Sequence, residues 1–186
     1  LALLAYDPAA LGTTPVRSAV LVPRALKPGD AVWAVGLRQD GRVAAQDSTV
    51  ASVEPAQFPL SRTLQFREAN QELLRLVNGP QDFDGVLTDA GGNIHALWSS
   101  FAYESGREMV QSNLGVPLDA VVDMVRQVQA GDVPRLRTLD AEFGALTLSG
   151  ARRYGVPAAW LERLAAAGGD LRQVLAVTRV TGGSDA

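Results

Sequence analysis

Short apolar runs separated by turn-forming residues dominate the first third of the chain. Over residues 1–60 the runs "VPRALKPGDAVWAVGL", "RQDGRV" and "STVASVEP" carry no helical period, so the pattern predicts β structure. Pro28-Gly29-Asp30 reads as a turn feeding a strand over Ala31–Gly36, and Asp40-Gly41 as a hairpin turn. Further strands are expected at Leu73–Val77, Gly85–Thr88 and Ile94–Ser100, with Ala90-Gly91-Gly92-Asn93 as the tight turn between the last two. From Pro117 the period changes. Leu118, Val121, Val122, Val125 and Val128 recur at three and four residues and predict an amphipathic helix, with Pro117 in its first turn and Gly131 past its last.

After "AGDVPRLRTLD" a second unit begins. "EFGALTL" reads as a short strand, Ser149 as the cap of a helical turn running to Arg153, and "PAAWLERLAAAGG" as a second helix stopped by Gly168-Gly169. "RQVLAVTRV" reads as a strand with no partner in sequence, so this unit is expected to be incomplete. At the other end, "LALLAY" stops at Asp7-Pro8, has no basic residues before it and is too short for a signal peptide or a membrane span. It reads as the interior of a buried strand, which implies further residues upstream. Any localisation signal would lie with them.

Composition narrows the function classes. With 186 residues and 47% hydrophobic content the chain can build a real core. A net charge of -3, with the positive residues scattered, provides no basic field for a phosphate backbone and argues against nucleic-acid binding. All but Lys27 of the 17 cationic residues are arginine, which matches a GC-rich, bacterial coding bias. Without cysteine there is no disulfide framework, thiolate metal site or cysteine nucleophile.

Several residues invite a chemical reading. His95 is the single histidine, and a lone imidazole makes a poor metal site, so it is expected to be a strand residue facing a neighbour. Asp82 and Asp84 could form a carboxylate pair, or be ordinary solvated turn residues. Together with Asp89 they could invite calcium, but the twelve-residue loop with its closing glutamate is missing. Gly91-Gly92 lacks the spacing and the following helix of a nucleotide loop. Trp33, Trp98 and Trp160 are far apart and are expected to pack in cores, and Ser99-Ser100 have no visible partner base. No metal or cofactor is expected.

The ordered set "DAVWAVGL", "FREANQELLRLV", "GVLTDAGGNIHALW", "NLGVPLDAVVDMVRQVQAG", "LDAEFGALTLSGARRYGV" and "QVLAVTRVTGGSDA" resembles the HtrA/Deg family of trypsin-like serine proteases. More closely it is similar to the tandem-protease branch that includes fungal nuclear members, in which a degenerate second protease half precedes a PDZ domain. The resemblance implies a mainly β fold with a few helices: a trypsin-like β-barrel half over residues 1–133, its N-terminal part missing, and an incomplete PDZ-like α+β domain over 134–186. Bacterial relatives of this family are often in the periplasm or cell envelope, fungal ones nuclear.

Carried across residue by residue, the family's nucleophile loop, Gly-Asn-Ser-Gly-Gly-Pro-Leu, falls on the segment containing Asp82, Phe83, Asp84 and Gly85, with Phe83 on the serine and Asp84 on a glycine. The triad aspartate would lie just before Leu1, and the triad histidine earlier still, so His95 falls on the wrong strand. Serine attack needs a neutral imidazole, a carboxylate to orient it and N–H groups aimed at the oxyanion, and none of these is legible here. In the second unit, Glu142-Phe143-Gly144-Ala145 falls on the hydrophobic-Gly-hydrophobic loop whose backbone N–H groups hold a peptide carboxylate. Glu142 departs from the aromatic or basic residue often found there.

Two functions stay open at this point. One is a non-catalytic protease-like scaffold or oligomerisation surface with a peptide-binding portion for unfolded chains or C-terminal peptides, in a regulatory or quality-control role. The other is an active serine endopeptidase, working through an upstream catalytic half or a nucleophile placed elsewhere.

Overall fold

In a computed structural model of the chain, residues 3–56, 70–105, 107–134, 139–167, 172–180 and 182–183 are described. The fold starts from a turn. Gly29 takes φ +95°, a conformation open to glycine, and the Asp30 carboxylate accepts hydrogen bonds from the Lys27 backbone N–H at 3.0 Å and from Arg24 at 2.8 Å. The Lys27 bond, then the Arg24 guanidinium, hold the Asp30 carboxyl below its ordinary pKa. This turn launches β1 (Ala31–Arg38), and the predicted Asp40-Gly41 hairpin returns the chain as β2 (Val43–Pro55).

Then follow β3 (Glu72–Leu76), β4 (Phe83–Thr88), β5 (Ile94–Ser105), β6 (Glu108–Pro117) and α1 (Asp119–Gln129). The six strands close into a barrel in the order β1-β2-β3-β6-β5-β4. Closure leaves no open strand edge, which suits a chain with long apolar strands. The last part holds β7 (Ala141–Thr147), α2 (Leu148–Arg153), α3 (Ala158–Ala167) and β8 (Gln173–Val180). The molecule is therefore mainly β with a few helices, as the resemblance implied.

The strands' two-residue period sets the barrel interior. Val32 and Ala34 of β1, Leu87 of β4, and Ala96 and Trp98 of β5 alternate inward and are 1% exposed or less. Strands β1 and β4 approach unusually closely, with Gly36 directly across from Gly85. A Cβ on Gly36 would meet the Asp84 carbonyl, and one on Gly85 the Val35 carbonyl, so only glycine fits either position. That contact fixes the backbone of Phe83 and Asp84 against β1.

The structure corrects several expectations. Leu3, Leu4 and Tyr6 form no buried strand. Leu4 is 92% exposed, and Asp7 caps a short 3-10 turn over Pro8–Leu11. Helix α1 begins after Leu118, with Pro117 still closing β6. Thr147, not Ser149, caps α2, because its hydroxyl accepts from the Gly150 N–H at 3.1 Å, and Ser149 is the second residue of the helix. Strand β8 has its partner in β7, the two running antiparallel. Trp160 packs in no core: it is 56% exposed, with the Arg163 guanidinium stacked 5.3 Å from the ring centre. The Gly168-Gly169 stop lies outside the described residues.

Two compact units result. One comprises Leu1–Ser52, Leu74–Phe101 and Gln111–Arg135, the other Val53–Leu73, Ala102–Val110 and Leu136–Ala186. Among the described residues, no helix is long and apolar enough to cross a membrane, and no group of three or more His, Cys, Asp or Glu is placed to hold a metal ion.

Candidate functional site

The segment that falls on a nucleophile loop is built as packing and hydrogen bonding. Gly79 lies against the Trp98 ring, where a Cβ would collide with the indole, and the Trp98 N–H donates to the Pro80 carbonyl at 3.1 Å. Asp82 stays near the surface and pairs with Arg38 at 2.9 Å. Phe83, the first residue of β4, turns inward and is 5% exposed. Its neighbour Asp84 accepts from the Ser100 hydroxyl and from the Asn113 side-chain amide, each at 3.1 Å. The carboxylates of Asp82 and Asp84 thus have separate partners and do not act as a pair.

Asn113 is the residue here that sequence reading missed, together with its strand β6. Its signal was a polar side chain directly before the apolar run Leu114-Gly115-Val116. It is 4% exposed, and its amide donates both to the Phe83 carbonyl at 3.1 Å and to Asp84. Both neighbours are acceptors, so the amide orientation is fixed. The Asn113 Oδ1 is left buried without a hydrogen-bond partner among the described residues. Asn113, Asp82, Phe83, Asp84, Ser100 and Gln111 help line a shallow cleft of about 330 Å³. Its polar contacts tie strand to strand. Gln81 adds another, its side-chain oxygen accepting the Asn113 backbone N–H at 3.1 Å.

His95 lies toward the other end of β4, about 15 Å from Phe83 at ~3.3 Å per strand residue. It is 3% exposed, and both ring nitrogens face acceptors: Nδ1 the Val22 carbonyl at 2.9 Å, Nε2 the Asp89 carboxylate at 3.2 Å. Asp89 also accepts from the backbone N–H groups of Gly91 and Asn93 and from the Asn93 side chain. Those bonds, the Asn93 side chain's foremost, push its carboxyl far below the ordinary carboxylate range. The histidine therefore closes the turn between β4 and β5, and neither nitrogen is offered to a nucleophile.

In the second unit, Phe143, Gly144 and Ala145 form a strand rather than a loop, registered against Val177, Ala176 and Leu175 of β8. The unusual Glu142 is compensated there. Its carboxylate pairs with Arg179, and its carbonyl accepts from the Thr178 hydroxyl at 3.0 Å. A further contact comes from Asn70 in the same unit. The Asn70 amide donates to the Ala141 carbonyl at 2.6 Å, while its oxygen accepts the Phe143 N–H at 2.8 Å.

Comparison with known proteins gives the chain its relatives. No family model matches it. It is 30% identical over 179 residues to the pro-apoptotic serine protease NMA111 of Eremothecium gossypii, a match covering 95% of this chain and 18% of that protein. It is 32% identical over 188 residues to a PDZ domain-containing protein of Schizosaccharomyces pombe, covering 99% and 19%. A third match, 31% identical over 184 residues, is to NMA111 of Lodderomyces elongisporus, covering 97% and 18%. The chain thus spans less than a fifth of the length of these relatives, all of them fungal. Among solved structures, an HtrA-type protease with a decapeptide matches 75% of this chain and 41% of that chain, at 19% identity and a TM-score of 0.44.

Proposed function

The chain belongs with the HtrA-like family of the fungal NMA111 proteins, and from that premise we propose that it is a non-catalytic protease-like unit with a peptide-binding portion. Residues 1–133 are the protease-like part and 134–186 the PDZ-like part. The observation that carries this reading is the inward Phe83 beside a bound Asp84 carboxylate. A phenyl ring cannot attack a carbonyl, and a carboxylate next to it opposes the negative charge that an acyl-transfer site must stabilise. Nor does His95, the one histidine in this sequence, offer a base to that segment, since its ring nitrogens face Val22 and Asp89.

The positive activity lies at β7. An extended peptide would add to a strand edge there, its backbone supplying affinity and its side chains specificity. Such a unit serves a regulatory or quality-control role by holding unfolded segments or chain ends for a reaction carried out elsewhere. A second reading, an active endopeptidase, is favoured by one observation: relatives more than five times as long bear the name serine protease. In that case the chemistry resides outside these residues or at a serine placed differently.

Treating the 186-residue chain with a serine-reactive fluorophosphonate and mapping modified peptides by mass spectrometry tests whether any serine within these residues is a nucleophile. The expected result is no labelled serine, in the native chain and in Phe83→Ser alike. A label on any serine within the chain would establish the endopeptidase reading.

A further inference from the structure

We infer that Asn70 is a specificity residue for the β7 edge: its side chain stands in for one residue of an added strand and removes any preference of the edge for a free terminal carboxylate. The inference rests on peptide addition at β7. In a strand, the peptide groups of Ala141 and Phe143 point to the edge opposite to those of Glu142. The Glu142 carbonyl faces β8, where it accepts from the Thr178 hydroxyl, so beside the register shift at Glu142/Phe143 the Ala141 carbonyl and the Phe143 N–H face the other edge. Asn70 takes both, at 2.6 and 2.8 Å.

A primary amide offers one donor and one acceptor side by side. Donating to the carbonyl before Glu142 and accepting from the N–H after it, Asn70 repeats the pair of bonds that a residue in a parallel strand makes with its partner. The mimic is well held. Asn70 sits at φ +64°, a left-handed conformation that asparagine tolerates better than most residues.

The consequence falls on the carboxylate of an incoming peptide. Phe143 N–H would be a donor to that terminal group, and the Asn70 oxygen already occupies it. The Glu142 carboxylate one residue away adds negative charge that Arg179 balances but does not reverse. An incoming segment can still bond further along β7. A terminal carboxylate gains nothing there over an uncharged amide end, so the edge accepts internal segments and chain ends alike.

The test measures the ratio of affinities for two probes by fluorescence anisotropy: a fluorescein-labelled decapeptide ending in three valines with a free carboxylate, and the same peptide amidated. The native chain is expected to bind both equally. Asn70→Ala frees the Phe143 N–H and should favour the carboxylate by about three- to tenfold, the worth of one charge-assisted hydrogen bond partly offset by Glu142. Asn70→Asp keeps an acceptor at the site and adds charge, so it should show no preference for the carboxylate or disfavour it. A native chain that already prefers the carboxylate, or an Asn70→Ala chain that binds both probes equally, overturns the specificity role alone. Binding of neither probe by any of the folded proteins, with folding checked by circular dichroism, overturns peptide addition at β7 and the role built on it.

Discussion

The barrel and the β7–β8 unit are built from similar sequence material but bury it very differently. Trp98, Leu74, Leu87, Leu118, Val32 and Val50 are almost wholly enclosed in the region around the barrel. Among the described residues from 139 onward, the buried apolar side chains are Ala141 and Ala151, while Leu175, Val177 and Trp160 stay more than half exposed. Helix α3 buries none of its residues. Apolar area removed from water is the main stabilising term, so the barrel supplies most of the stability and the second unit retains apolar surface.

The most severe way to break this contrast is to remove the barrel's largest fully buried side chain among the described residues. Trp98→Ala deletes a ring that is 1% exposed and its hydrogen bond to Pro80, and should cost about 3–5 kcal/mol in urea unfolding. A loss under ~1 kcal/mol would mean the barrel is not where stability lies. Replacing Trp160, 56% exposed, should cost far less, under about 1 kcal/mol, and the two substitutions measured together calibrate the contrast directly.

Acid sharpens the contrast next. Folding lowers the Asp89 pKa, so the stability from its turn is complete above the unfolded carboxylate value, about 4, and is lost as the pH falls from there toward the lower folded pKa. Asp30, lowered likewise, acts in the same direction. The urea midpoint should drop between pH 5 and pH 2.5, and Asp89→Asn should flatten part of that slope. An unchanged slope in Asp89→Asn would show that its hydrogen bonds do not favour the charged form.

The smallest effects belong to the second unit. Thr147→Ala removes the α2 cap and should cost about 1 kcal/mol locally, seen as faster amide exchange over Leu148–Arg153. Ser149→Ala should stay within ~0.5 kcal/mol. If the two exchange their rank, the cap is Ser149 after all.

Much of this was legible in the chain because it depends on neighbours in sequence. The turns at Gly29 and Asp40-Gly41, the strands around Val32, Leu87 and Trp98, and the helix over Asp119–Gln129 follow from local turn chemistry and apolar period. Strand β6 was not legible, because "EMVQSNLGVP" mixes polar and apolar positions without clean alternation. Its polar residue Asn113 acquires meaning through Phe83 and Asp84, about thirty positions away. "LALLAY" misled for the complementary reason: apolar sequence records a capacity for burial, and only packing partners realise it.

Sequence by itself thus determined most of the strands and turns, the helix over Asp119–Gln129 and the mainly β class, all properties of residue type and short-range order. Tertiary structure decided the rest. It closed the six strands into a barrel, spent His95 on the Asp89 turn, gave Asp84 its partners and set the Asn70 amide across Glu142. These are contacts between groups distant along the chain or oriented by folding, and hydrogen bonds depend on distances and directions that exist only once the chain has folded.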